Sequence, residues 1–265
     1  MARAVPLLVM AVVIFFPTYM TFISAIFPPG EIVRSGPFPP LSRLTWENFE
    51  LAINTIPFGQ QYITSVAVVF LQTVGQFVLA ALAAYALVFP RWRLQNLAFV
   101  LILATMAVPG DALTVPNYEL VSGIGLRDTI LGIVIPFIVV GYPVFLLRQA
   151  FAAVPRELWE ASRLDGCSDL RSLFLIIIPT ARNQALTAVM WSALAAWNGF
   201  FWPLLITDSA ANRTVQVGLA QLARAENGSP AVTFAGTALV LIPTILLVIL
   251  GNKFLVEGMA RGSIK

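Results

Sequence analysis

The chain has 265 residues, 58% of them hydrophobic and 11% charged, with a mean hydropathy of +0.85; soluble domains stay near about 45–50% apolar, so this composition describes an integral membrane protein. One cysteine and no histidine are present, which removes the common zinc ligand sets and the Ser-His-Asp and Cys-His arrangements of nucleophilic catalysis. The net charge of +3 is small, its basic residues are scattered over loops, no G-x-x-x-x-G-K-[ST] loop exists to cradle ATP phosphates, and nothing supports nucleic-acid binding.

A span needs about 20 mostly apolar residues to cross roughly 30 Å of hydrocarbon. Six stretches qualify, near 5–27, 62–89, 95–116, 129–150, 184–206 and 231–256. No soluble domain fits between them, so the sequence predicts one all-α transmembrane domain over 1–265. The first stretch is longer than the roughly 7–15-residue apolar core of a secretory signal, which predicts a retained span. Residues 28–59 turn to Pro, Gly, charge and aromatics, predicting a loop with a short surface helix over 46–53.

Span two ends in A-L-A-A-Y-A-L-V-F before Arg91-Trp92-Arg93. Its alanines, with Gly75, offer a small-residue face on which neighbouring helices can approach closely. Span three carries Pro109-Gly110-Asp111 and then Asn117, Tyr118 and Glu119. A Pro-Gly interruption frees backbone groups that neighbours or cavity water must satisfy. It predicts either a wall of a pathway or a kink that serves only packing, and Tyr118 equally suits an interfacial anchor. Span four contains Pro136 and Pro143 and delivers the chain to a segment, 151–179, of a different character.

That segment carries Arg156, Glu157, Glu160, Arg163, Asp165, Asp169 and Arg171 close together, which excludes a membrane span. Pro155 suits the first turn of a helix and Gly166 the left-handed residue that ends one. Ser168 can cap a second helix that rises through 173–178. The reading is a helix–turn–helix whose first helix is too short to be stable alone in water, so it needs a surface to lie against. Cys167, in the turn, reads as a free thiol. Span five contains Trp197-Asn198-Gly199-Phe200 and Pro203; the loop 209–230 is polar, and span six ends before the tail F-L-V-E-G-M-A-R-G-S-I-K.

The spacing E-A-S-R-L-D-G, nine residues, I-I-I-P resembles the cytoplasmic signature of the membrane-spanning subunits of bacterial binding-protein-dependent ABC importers, E-A-A-x-x-x-G, nine residues, I-x-L-P. Glu160, Ala161, Asp165, Gly166, Ile176 and Pro179 fit; Ser162 stands for the second Ala and Ile178 for Leu. The A-A-Y-A-L run and the tail are similar to the carbohydrate branch of that family. Thr64, where that branch usually has Asn, and Gly199, where it usually has Glu, are departures.

The resemblance implies the importer type I permease fold: six transmembrane helices with a cytoplasmic coupling helix between the fourth and fifth. It implies a second permease, usually a different chain, two ATPase subunits and an extracytoplasmic solute-binding protein. This chain then holds no cofactor; ATP and its magnesium belong to the ATPases, and the subunit is not itself an enzyme. Leu158, Ala161 and Leu164, at helical spacing, would enter a groove on the ATPase, with Glu160, Arg163 and Asp165 as polar partners and Gly166 making the turn. With both termini in the cytoplasm of a bacterial inner membrane, eleven Arg and Lys lie inside against five outside, as the positive-inside rule expects. An ion-coupled secondary transporter would instead place ionisable groups within spans, where only Asp111 is found. The solute implied is a sugar or oligosaccharide, with glycerol-3-phosphate or a glycerophosphodiester as the alternative. Candidate pathway residues are Trp197 and Asn198, which otherwise only pack and bond backbone, and Asn117, Tyr118 and Glu119.

Overall fold

Helix is the answer this sequence gives almost everywhere, because apolar runs in a membrane must satisfy their own backbone groups. The computed structural model describes residues 4–31, 34, 36, 38, 41–225 and 229–260, with no strand among them. Arg3 and the last five residues of the family-like tail, 261–265, lie outside the described residues. Three helices are long and apolar enough to cross a membrane, Val5–Ala25, Phe58–Ala86 and Pro230–Gly251, or up to six if each of three bent helix pairs is one span. The chain forms two compact units, residues 1–65 with 208–245 and residues 66–207 with 246–265.

In the first unit, α1 (Ala4–Ala25) is apolar all round and exposes its large side chains from Val5 to Phe16. The predicted surface helix is α2 (Glu47–Thr55). Its Asn48 is buried and donates through Nδ2 to the carbonyls of Ala25 and Phe27, at 2.9 and 2.8 Å. Those carbonyls lie at and just beyond the end of α1, where acceptors run out of intrahelical donors, so one amide stitches the two helices together. Ala25, Ala52, Leu222, Val232, Ala235 and Ala238 form the core.

The opening residues of α3 (Phe58–Ala86) also belong to this unit. Gln61 donates to the Ala210 carbonyl and Thr64 to that of Ala211, while Ser65 Oγ accepts the Val215 N–H at 2.8 Å. The departure at Thr64 is therefore accommodated: a buried hydroxyl finds a backbone acceptor. Val215 opens α12 (Val215–Leu222), which precedes the long α13 (Pro230–Ala260).

The second unit holds the rest of α3, where Ala80, Ala81 and Ala84 are buried as the small-residue face predicts. A Cβ on Gly75 would collide with the side chain of Ile138, so the helix needs glycine there. Next come α4 (Gln95–Met106), α5 (Thr114–Gly123), α6 (Ile130–Val134) and α7 (Gly141–Ala152). The segment Gln95–Met106 meets Gly110–Gly123 at 92°, and Ile130–Phe137 meets Gly141–Ala152 at 52°. Both interruptions are sharper than a straight span over 95–116 or 129–150 would be. At the first, Pro109 lacks an N–H and its ψ of 126° takes it out of the helix; at the second, Val140 is extended.

α8 (Arg156–Leu164) and α9 (Asp169–Ser172) form the predicted helix–turn–helix. A π-helical turn (Leu173–Ile177) and one α-turn (Ile178–Thr180) follow, and at Ala181 the chain bends by 93° into α10 (Arg182–Trp197). The stretch expected as a single helix over 184–206 is broken at 198–200, before α11 (Phe201–Ile206). α7 packs along both α4 and α10. Tyr85, Phe89, Leu147, Phe151, Leu173 and Ile177 are buried among small residues of α3 and α10.

Candidate functional sites

The turn between α8 and α9 is built by backbone donors. Gly166 has φ +78°; its N–H reaches the Arg163 carbonyl at 3.1 Å, and the Cys167 N–H reaches that of Ser162 at 2.9 Å. This pair of bonds is a Schellman closure, which satisfies the last carbonyls of α8 and needs a left-handed residue at Gly166. Ser168 Oγ accepts the Arg171 N–H and caps α9. Pro155 stands one place outside the helix as its N-terminal flank, rather than in its first turn.

What seats α8 on the unit is a set of side chains on its inner face. The Trp159 ring stacks on Phe89, with centroids 5.8 Å apart. Trp159 Nε1 donates to the Tyr85 hydroxyl at 2.8 Å, and that hydroxyl donates to Asp169 Oδ1 at 2.9 Å. Arg163 reaches the same Asp169 oxygen and the Cys167 carbonyl, each at 3.1 Å. Ser162, buried at 2% exposure, donates to the Trp159 carbonyl and lies 2.9 Å from Ser172 Oγ. The signature's Ala-to-Ser departure is thus matched by a second serine on α9. Arg156 bonds the Phe89 carbonyl and pairs with Glu160, an exposed i,i+4 pair of small energetic weight.

The consequence is a clasp: α8, its turn and α9 are tied to the end of α3 through Tyr85. The outer face stays open, with Leu158 at 43% and Leu164 at 90% exposure and Ala161 and Asp165 also exposed. Glu160 and Arg163 both have partners inside this chain. Tyr85, Trp159 and Asp169 were not singled out by sequence reasoning; the only signal for Tyr85 was its place inside the A-A-Y-A-L run.

A second site is a half-open cavity of about 340 Å³ among α3, α5 and the break after α10. Its polar lining is Gln72, Gln76, Asp111, Thr114 and Asn117, with Trp191 among its rings. Gln72 and Gln76, four apart, share one face of α3. Gln76 donates to the Phe137 carbonyl at 2.6 Å, and Trp202 is fixed by its N–H bond to the Gly132 carbonyl.

Of the five residues predicted for a pathway, Asn117 alone lines this cavity. Trp197 is buried beside it in sequence but not in its wall. Asn198 donates its side-chain N–H to the Leu194 carbonyl at 2.9 Å, near the C-terminus of its own helix. Tyr118 packs against the core around Val121 and Trp202 with Arg127 over its ring, and Glu119 is exposed. The helix break turns Gly199 and Phe200 to the cavity instead of the residues preceding them. A run of polar and aromatic letters marked the region, but only the position of the break decides which of them face inward.

A helical membrane chain with a polar helix–turn–helix and a lined cavity has the form of a transport permease. The chain belongs to the family of binding-protein-dependent transport system inner membrane components, whose model matches residues 76–261, and it is the permease subunit of an ABC importer. It is 29% identical over 266 residues to the sn-glycerol-3-phosphate transport system permease protein UgpE of Yersinia pestis, covering 96% of this chain and 93% of that one. It is 26% identical over 254 residues to the arabinooligosaccharides transport system permease protein AraQ of Bacillus subtilis, covering 94% and 90%. Its fold is similar to a chain of a bacterial ABC transporter involved in import of the acidic polysaccharide alginate, with a TM-score of 0.84, 23% identity and coverage of 95% and 94%.

Proposed function

We propose that this subunit forms half of the translocation pathway of a sugar or oligosaccharide importer and that α8 is its coupling helix. The observation that carries this is the exposed apolar stripe of Leu158, Ala161 and Leu164, held outward by the clasp on the opposite face. Leaving such a stripe in water is unfavourable, and a groove on an ATPase subunit would cover it. Closure of two such ATPases around ATP and magnesium would then move α8 as a lever. The lever acts on the end of α3 and the turn after it, because Tyr85 and Phe89 are what α8 is bonded to and stacked on.

The rest of the assembly follows from that role. Each bent helix pair is one span, giving six with the three straight helices; both termini and α8 are cytoplasmic. A second permease, a different chain, completes the pathway, and an extracytoplasmic binding protein delivers the solute. The substrate for which AraQ is named favours an oligosaccharide, and that of UgpE favours sn-glycerol 3-phosphate as the second reading.

The direct test purifies the whole complex and measures its ATPase rate against a panel of solutes with their binding proteins. Stimulation by a saccharide supports the main reading; stimulation by glycerol phosphate alone replaces it with the second. Orientation has its own expected result. Cys167, a free and partly exposed thiol, reacts with a membrane-impermeant maleimide in inside-out vesicles and not in intact cells, and bound ATPase shields it. Labelling from outside intact cells would overturn the topology.

A further inference from the structure

The cavity in the second unit carries a statement about solute charge. Gln72 is 92% withdrawn from solvent, at 8% exposure, and lines the cavity, yet neither atom of its amide is hydrogen-bonded among the described residues. Gln76, one turn along, has its donor engaged by Phe137 while its side-chain oxygen is buried without a partner. The Gln76 oxygen is a buried acceptor that is expensive to leave unpaired, and the Gln72 amide, without a partner but still reached by solvent, lines the same space; together they point to a ligand with hydroxyl groups. Asp111, Thr114 and Asn117 add unbonded acceptors and donors across the cavity. Trp191 and Trp202, the latter held by its N–H bond to the Gly132 carbonyl, add aromatic lining of the kind that packs on the C–H faces of a pyranose.

The lining's charge is equally informative. Among the described residues Asp111 is its only ionisable side chain, and no Arg or Lys lines it. A phosphate or uronate entering here would meet a carboxylate and no cation. Asp111 is itself exposed, so solvent screens this repulsion, but it still disfavours an anion relative to a neutral solute. We infer that this cavity is a binding subsite for a neutral, hydroxyl-rich solute such as an oligosaccharide, with Gln72 and Gln76 as its hydrogen-bonding floor and Asp111 as the element that rejects anions. The inference rests on the importer reading and narrows it, setting this chain apart from the anionic substrates for which UgpE and the alginate transporter are named.

The test uses the complete importer in lipid nanodiscs, without its binding protein, and follows intrinsic tryptophan fluorescence with four probes: raffinose, maltotriose, sn-glycerol 3-phosphate and a uronic-acid trisaccharide. The expected result is saturable binding of a neutral probe at least about tenfold tighter than either anion. Gln72→Leu should weaken neutral binding by about tenfold, the effect of losing one well-placed hydrogen bond to the solute, and Gln72→Asn by less. Asp111→Asn should improve the binding of the anionic probes, a gain that a misfolded variant cannot give. Tighter anion binding in the wild type, unchanged affinity in Gln72→Leu, or no binding of any probe by a complex that hydrolyses ATP would overturn the subsite and leave the importer reading standing. A complex that never hydrolyses ATP would overturn that reading and the subsite with it.

Discussion

Gly166→Val is expected to cut solute uptake by an order of magnitude or more while the protein reaches the membrane in normal amount. The residue sits at φ +78°, and a Cβ there meets nothing within 4 Å, so the effect comes from the backbone alone. A β-branched residue held in the left-handed region costs about 2 kcal/mol, a factor of about 30 in the population of the turn. The two closing bonds, from Gly166 to Arg163 and from Cys167 to Ser162, weaken with it. α8 then loses its fixed exit, and Leu158, Ala161 and Leu164 no longer sit at one defined angle. Gly166→Asn should retain most uptake, because asparagine tolerates this conformation, and Gly166→Ala should fall between the two. The graded order separates a conformational cause from a contact. Normal uptake by the valine variant would remove the turn from the mechanism.

Tyr85→Phe is expected to raise the number of ATP molecules spent per solute transported at least severalfold. Its hydroxyl is the joint of the clasp, accepting from Trp159 at 2.8 Å and donating to Asp169 at 2.9 Å. Phenylalanine keeps the ring contact with Phe89, 5.2 Å between centroids, but strands the partly buried indole N–H. Such a stranded donor costs about 1–3 kcal/mol. Asp169 keeps Arg163, so α8 and α9 should hold to each other while loosening from α3. ATP-driven movement of α8 would then be delivered less completely. Asp169→Asn, which keeps an acceptor for Tyr85 but loses the charge facing Arg163, should have a smaller effect. An unchanged ratio of ATP to solute in Tyr85→Phe would show that the clasp is structural only.

The helix–turn–helix of α8 and α9 was legible in the sequence because its signals are local. Pro155, Gly166 and Ser168 act on residues within one turn of themselves, and each takes the conformation its chemistry predicts, Pro155 being displaced by one position. The alanine face of α3 was legible for a similar reason: close packing in lipid selects small residues at helical spacing. The cavity was not. Prolines 109 and 136 announce interruptions, but the size of a bend depends on what packs beside it. Asn198 looked like a pathway group and instead bonds the Leu194 carbonyl of its own helix. Gln72 and Gln76 were passed over within an apolar span, although a pair of amides four residues apart in such a span is itself a signal that a polar ligand or partner shares that face. The Trp159–Tyr85–Asp169 joint links residues 74 and 84 positions apart, a distance over which one sequence carries no pairing information.

The central claim is that the outward face of α8 is seated on an ATPase. The most direct measurement places a photo-crosslinking amino acid at Leu164, the most exposed apolar residue of that helix, in cells expressing the complete importer. The account predicts one dominant adduct of the mass of this chain plus an ATP-binding subunit, weakened when Gly166 is replaced by valine. Adducts only with lipid, with the second permease or with the extracytoplasmic binding protein would contradict it.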